Sequence, residues 1–172
     1  MRCHGTLLLV EGVGVLLLGP SGIGKSECAL DLLRRGHRLV ADDVVEIVQT
    51  DSGNLEGSAP ERIRHHLEIR GLGIVSAKDL FGQAAVGERG PVDLLCRLQA
   101  PGEEAGYERV GIARAREELA GVSLPRVTLP ARPAGSIATL VEVAARDHLL
   151  RERGLSAAGR LDRRIRDEMG AS

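Results

Sequence analysis

The segment Gly19-Pro20-Ser21-Gly22-Ile23-Gly24-Lys25-Ser26 has the form G-x-x-x-x-G-K-[ST], and it constrains the fold more than any other stretch of the chain. A loop of this kind joins the end of a strand to the start of a helix. Its glycines let the backbone turn successive N–H groups onto phosphate oxygens, while the helix presents its positive end to the same anion. A compact ammonium on a flexible stem suits the β- and γ-phosphates, which is the part assigned to Lys25. Ser26 offers a hydroxyl to Mg²⁺, a cation that takes few protein ligands. Residues 19–26 are therefore expected to bind a nucleotide together with Mg²⁺; the plainer reading is a glycine-rich turn capping a helix.

The flanking pattern supplies the scaffold. Thr6 to Val10 and Val13 to Leu18 are aliphatic strands joined at Glu11-Gly12, and the second feeds the loop. From Lys25 to Arg35, Cys28, Ala29, Leu32 and Leu33 recur at helical spacing, with Gly36 as the stop. Leu39, Val40 and Ala41 form the next strand and end in Asp42-Asp43. Strand, loop, helix and strand make a βαβ unit, which delivers both strand ends to one rim of a sheet. The two aspartates thus reach the rim of the phosphate loop, one near the Mg²⁺ shell and one facing the γ-phosphate, although a turn or helix cap is the reading of such a pair standing alone. Val44 to Gln49 continues as a strand, and Asp51-Ser52-Gly53-Asn54 turns it into a second hairpin. In Leu67 to Val75, alternation puts Glu68 and Arg70 on one face and Leu67 and Ile69 on the other. That pair suits metal and phosphate, and it equally suits a surface ion pair.

With 172 residues the chain has the length of one domain, and Phe81 and Tyr107 are its only aromatic side chains. The core must be aliphatic, and stacking platforms for single-stranded nucleic acid are missing. A net charge of -1 offers no general field for nucleic acid or anionic membrane. Residues 7–18 are too short, and too interrupted by Glu11 and glycines, to span a bilayer. Cys3, Cys28 and Cys96 are an odd, scattered set, read as reduced thiols of a cytoplasmic protein, with Cys28 and Cys96 packed inside.

Gly19 to Glu27, the Leu39-to-Asp43 strand end and above all Leu67-Glu-Ile-Arg-Gly-Leu-Gly-Ile-Val75 resemble the catalytic domain of the HPr kinase/phosphorylase family. The similarity extends through Asp79-Leu80-Phe81-Gly82, Tyr107-Glu108-Arg109-Val110-Gly111 and Leu140 to Ala145, from about His4 to the region of Leu161. It implies an α/β fold, a P-loop-containing, phosphoenolpyruvate-carboxykinase-like core with a mixed sheet and C-terminal helices. The implied activity is ATP-dependent phosphorylation of a serine on the phosphocarrier HPr, with a reverse reaction in which inorganic phosphate removes that group as pyrophosphate. By the same resemblance Asp43 is the proton-accepting carboxylate, Ser26 and Glu68 are Mg²⁺ ligands, Lys25 binds phosphate, and His4 and Arg109 are catalytic. Asp42, Arg70 and Arg132 are possible additions. The assembly is expected to be a homohexamer, and residues 1–172 to be one catalytic domain without the N-terminal domain of two-domain members.

One departure concerns the loop tied to dephosphorylation, which commonly reads Arg-Pro-Gly-Arg-Asn in the family. Here Arg132-Pro133 is followed by Ala134-Gly135-Ser136, so the arginine expected at Gly135 is missing, which removes an anion contact from the reverse reaction while Arg132 remains. Ser136 to Arg153 has an apolar face through Ile137, Leu140, Val141, Ala144, Ala145 and Leu149, and Gly154 ends it. Arg160 to Arg166 holds four arginines, either a solvated helix face or part of a dock for an acidic partner. Two other functions stay in view: a small-molecule or carboxykinase-like enzyme, and a noncatalytic ATP sensor.

Overall fold

The aliphatic opening of the chain folds as its pattern predicts. After a short β1 (Arg2–His4), the strands β2 (Thr6–Val10) and β3 (Val13–Leu18) are buried almost throughout, because neither face of either strand reaches water. Glu11 and Gly12 join them with positive φ at both positions, 55° and 81°, the conformation that matches the twist of a tight hairpin. Helix α1 (Lys25–Arg34) follows the glycine-rich loop and turns Cys28, Ala29, Leu32 and Leu33 inward. Next come β4 (Arg38–Ala41), the hairpin of β5 (Val44–Gln49) and β6 (Leu55–Ser58), and a second hairpin of β7 (His66–Ile69) and β8 (Gly73–Ser76). A short α2 (Ala77–Phe81) leads to β9 (Arg89–Pro91), β10 (Leu94–Gln99), β11 (Ala115–Leu119) and β12 (Val122–Pro130). Helices α3 (Ile137–Glu152) and α4 (Ala157–Gly170) close the chain. This computed structural model describes residues 1–103, 110–132 and 135–171.

Three layers result. A six-stranded mixed sheet, ordered β11-β12-β10-β3-β2-β4, lies in the middle. One face carries α1 and α3, packed through Cys28, Leu32, Val141 and Ala145 onto Leu8, Val15, Leu17 and Leu94. The other face meets a four-stranded sheet, ordered β1-β5-β6-β9, through Leu7, Leu16, Leu95, Val45, Ile47 and Leu55. Two glycines let the sheets approach. A Cβ on Gly14 would lie 1.7 Å from the Pro91 carbonyl oxygen, and one on Gly57 would lie 2.4 Å from a Leu7 methyl.

The βαβ expectation needs one amendment. Strands β3 and β4 do run in the same direction, but β2 lies between them, antiparallel to both. The tight turn at Glu11-Gly12 makes β2 the immediate neighbour of β3, so the crossover through α1 must land on the far edge of β2. Both strand ends still open on one rim. Strands β10 and β12 run parallel to β3 and end there too. Leu67 to Val75 is a hairpin rather than one strand, turning at Arg70 to Leu72, and the predicted alternation holds over Leu67 to Arg70. No described helix is long and apolar enough to cross a membrane.

Candidate active site

The site forms where the chain leaves the central sheet at two points. At the first, after β3, Gly19, Gly22 and Gly24 all adopt positive φ, which lets the loop curl above the start of α1. Lys25 lies in the first turn with 6% exposure, and its Nζ donates to the carbonyls of Gly19 (2.9 Å) and Pro20 (3.0 Å). Burial pulls its pKa down while Asp42, Asp43 and Glu27 push it back up. Ile23 closes the loop, its N–H bonded to the Pro20 carbonyl at 3.3 Å.

At the second point, after β4, the chain passes from one sheet to the other through Asp42 and Asp43. The Val44 N–H donates to the Asp42 carbonyl at 2.9 Å, and Asp43 between them has φ 67°. A non-glycine residue held in this region is uncommon and marks a constrained corner. The corner sends the two carboxylates different ways. Asp42 is 4% exposed, its Oδ1 accepting from Thr6 Oγ1 at 2.6 Å and its Oδ2 from Ser26 Oγ at 2.8 Å. Burial raises its pKa, against the two hydroxyl bonds. The Asp43 side chain is 62% exposed and faces the opening.

His4, at the end of β1, closes this corner from the other sheet. Its Nδ1 lies 2.9 Å from the Asp43 carbonyl and 3.1 Å from Asp43 Oδ1. Both partners are acceptors, so Nδ1 serves as the donor in these contacts. The Gly5 N–H also donates to the Asp43 carbonyl, at 3.1 Å.

The β7–β8 hairpin forms the opposite wall. Glu68 and Arg70 line a cavity of about 200 Å³ together with His4, Ser21, Gly22, Gly24, Lys25, Ser26, Asp42 and Asp43. Arg70 rests on the loop itself, since a Cβ on Gly22 would lie 3.0 Å from its Nη2. A second recess of about 310 Å³ shares Asp42, Asp43 and Glu68 and continues past Arg62, Ile63, His66 and Ile74. The loop donors, Lys25 and Arg70 suit phosphate oxygens. The hydroxyl of Ser26 and the carboxylates of Asp42, Asp43 and Glu68 are hard oxygen donors, the set that fits Mg²⁺.

Of the residues marked in the sequence, Arg132 follows β12 at the same rim and is exposed, but it does not line the described cavity. Arg109 lies outside the described residues. Glu27 lines the cavity and was missed; its signal was an acid in the first turn beside Ser26. Thr6 was missed as a polar partner, although it is the single hydroxyl in the strand Thr6-Leu-Leu-Leu-Val10.

Residues 1–165 match the family model described as HPr Serine kinase C-terminal domain. The chain belongs to that family. It is 46% identical over 167 residues to the HPr kinase/phosphorylase of Caldanaerobacter subterraneus subsp. tengcongensis, covering 97% of this chain and 55% of the relative. With that of Geobacillus thermodenitrificans it shares 48% over 164 residues, covering 95% and 53%. The chain thus spans about half the length of these curated relatives. The solved structure of the HPr(Ser) kinase/phosphatase from Coxiella burnetii superposes with a TM-score of 0.82 at 32% identity, covering 90% of this chain and 93% of that one. The fold is that of the family: α/β, with a mixed sheet and C-terminal helices.

Proposed function

We propose that the protein transfers the γ-phosphoryl group of ATP, with Mg²⁺, to a serine of HPr in the cytoplasm. The observation that supports this most is the division of labour at residues 42 and 43. Asp42 is buried and committed to two hydroxyls, whereas Asp43 is exposed at the junction of the phosphate cavity with the neighbouring recess. A noncatalytic ATP sensor has no need of an accessible carboxylate at that junction.

In the forward direction the serine oxygen, arriving through the recess, attacks the γ-phosphorus. The bond from phosphorus to the bridging oxygen breaks, and its electron pair leaves with ADP. Asp43 takes the serine proton, and His4, donating from Nδ1, holds the Asp43 backbone and carboxylate in place. Lys25 and Arg70 neutralise phosphate charge and orient the chain of phosphates, which supplies most of the rate in phosphoryl transfer. Ser26 and Glu68 would hold Mg²⁺, which when bound supplies further charge neutralisation. In the reverse direction an oxygen of inorganic phosphate attacks the phosphoserine phosphorus, Asp43 returns the proton to the leaving serine oxygen, and pyrophosphate forms. Gly135 stands where an arginine would contact an anion, so the reverse reaction is expected to be the weaker one.

The test is transfer of label from radiolabelled Mg-ATP to purified HPr. Asparagine tolerates the left-handed backbone of position 43, so Asp43→Asn removes the base without disturbing the corner. The expected outcome is loss of transfer by about 10²-fold or more with nucleotide affinity retained. Undiminished transfer would remove Asp43 from the mechanism, and label on a metabolite with HPr unlabelled would favour a small-molecule kinase.

A further inference from the structure

Among the described residues the buried polar side chains are Thr6, Lys25 and Asp42, and all three belong to one site. Two of them have evident partners in phosphate or metal chemistry. Thr6 has none: it sits on β2, does not line the cavity, and is 0% exposed. A hydroxyl at such a position in an aliphatic strand is costly relative to valine unless its bond is used.

We infer that Thr6 is a positioning residue for the metal–nucleotide complex, fixing the Asp42 carboxylate so that Asp42 aims the Ser26 hydroxyl oxygen into the cavity. This rests on the reading that residues 19–26 bind a Mg²⁺-nucleotide. Each Asp42 oxygen receives one hydroxyl, Oδ1 from Thr6 and Oδ2 from Ser26. The torsion that turns a carboxylate is soft, and a bond from Ser26, itself a free rotor, would leave both groups able to swing. Thr6 supplies the rigid end. Its β-branched side chain is stiff at χ1, and its strand is paired on both edges, to β3 and to β4. With Asp42 so held, the Ser26 proton is directed at Oδ2, and the lone pairs of Ser26 are left toward the space lined by Lys25 and Glu68. Thr6 thereby orients groups at the metal position without itself lining the cavity.

ADP binding by the unaltered chain, Thr6→Val and Thr6→Ser, each with Mg²⁺ and with EDTA, tests the role by calorimetry. Valine keeps the shape and removes the donor; serine keeps the donor. Thr6→Val is expected to weaken binding in Mg²⁺ by about tenfold or more and to leave binding in EDTA within about twofold, with Thr6→Ser close to the unaltered chain. A merely structural role would lower both affinities together. If Thr6→Val does not fold, Thr6→Cys, with a similar volume and a weaker donor, carries the same comparison. Equal affinities of all variants in Mg²⁺, or equal losses with and without it, overturn the role of Thr6 and leave the kinase reading standing. Absence of Mg²⁺-dependent binding in the unaltered chain overturns both.

Discussion

At residue scale, the site depends on giving neighbouring identical side chains different surroundings. Asp42 and Asp43 are indistinguishable in the sequence beyond their order, and only the resemblance assigned the base to Asp43. The structure supplies a physical reason for telling them apart: the left-handed backbone at Asp43 turns its side chain outward while Asp42 stays under Thr6 and Ser26. That difference was illegible earlier because it depends on a partner 36 residues away and on a change of sheet. Gly14 is a second residue whose role appears only in three dimensions. Its φ is ordinary, so space alone decides, and a Cβ there would collide with the Pro91 backbone. Gly14→Ala is expected to destabilise the protein by about 2–3 kcal/mol, read as a lowered denaturant midpoint, because backbone cannot give way as a side-chain tip can.

At the scale of elements, the phosphate-loop helix is fastened to α3 by a polar clamp. Ser136 caps α3 through the Ala138 N–H at 3.1 Å and donates to Asp31 on α1 at 2.8 Å. Arg35 reaches Thr139 and Glu142, and His37 meets Glu142 at 2.6 Å. The apolar faces of both helices were legible from their spacing, and so was the end of α3 at Gly154. The clamp was not, since exposed Asp, Arg and Ser at helical positions look like any solvated surface. The Ser136 hydroxyl and Arg35 hold the Asp31 carboxyl below its ordinary range, and His37 and Arg35 do the same for Glu142. Carboxyls depressed in the folded state contribute stability above their unfolded values, about 3.9 for Asp and 4.3 for Glu. That contribution is lost as pH falls through the lower folded values. Stability by urea titration is therefore expected to hold between pH 7 and about 5 and to fall below about 4. Ser136→Ala should cost about 1 kcal/mol at neutral pH and reduce the acid-dependent loss.

At the scale of the whole molecule, the layered body and the C-terminal helix are unequal partners. Helix α4 buries none of its residues and leaves Leu161, Ile165 and Met169 in solvent, with Arg160, Arg163, Arg164 and Arg166 exposed beside them. Removing residues 156–172 is expected to shift the melting temperature by no more than about 2 °C, because little apolar area is returned to water. A large fall would mean that α4 supports the body. The three layers themselves were only partly legible: the hairpins and α1 follow local pattern, whereas the position of β2 between β3 and β4 is a consequence of pairing order. The junction at Asp42-Asp43 belongs to both sheets, so the reach from the proposed general base to the phosphate loop is set by how one sheet lies upon the other. Gly14 lies under Pro91 and Gly57 under Leu7 at that interface, with no room for a Cβ at either position. Bulk introduced at either glycine would thus push the sheets apart and shift the proposed base against the phosphate loop.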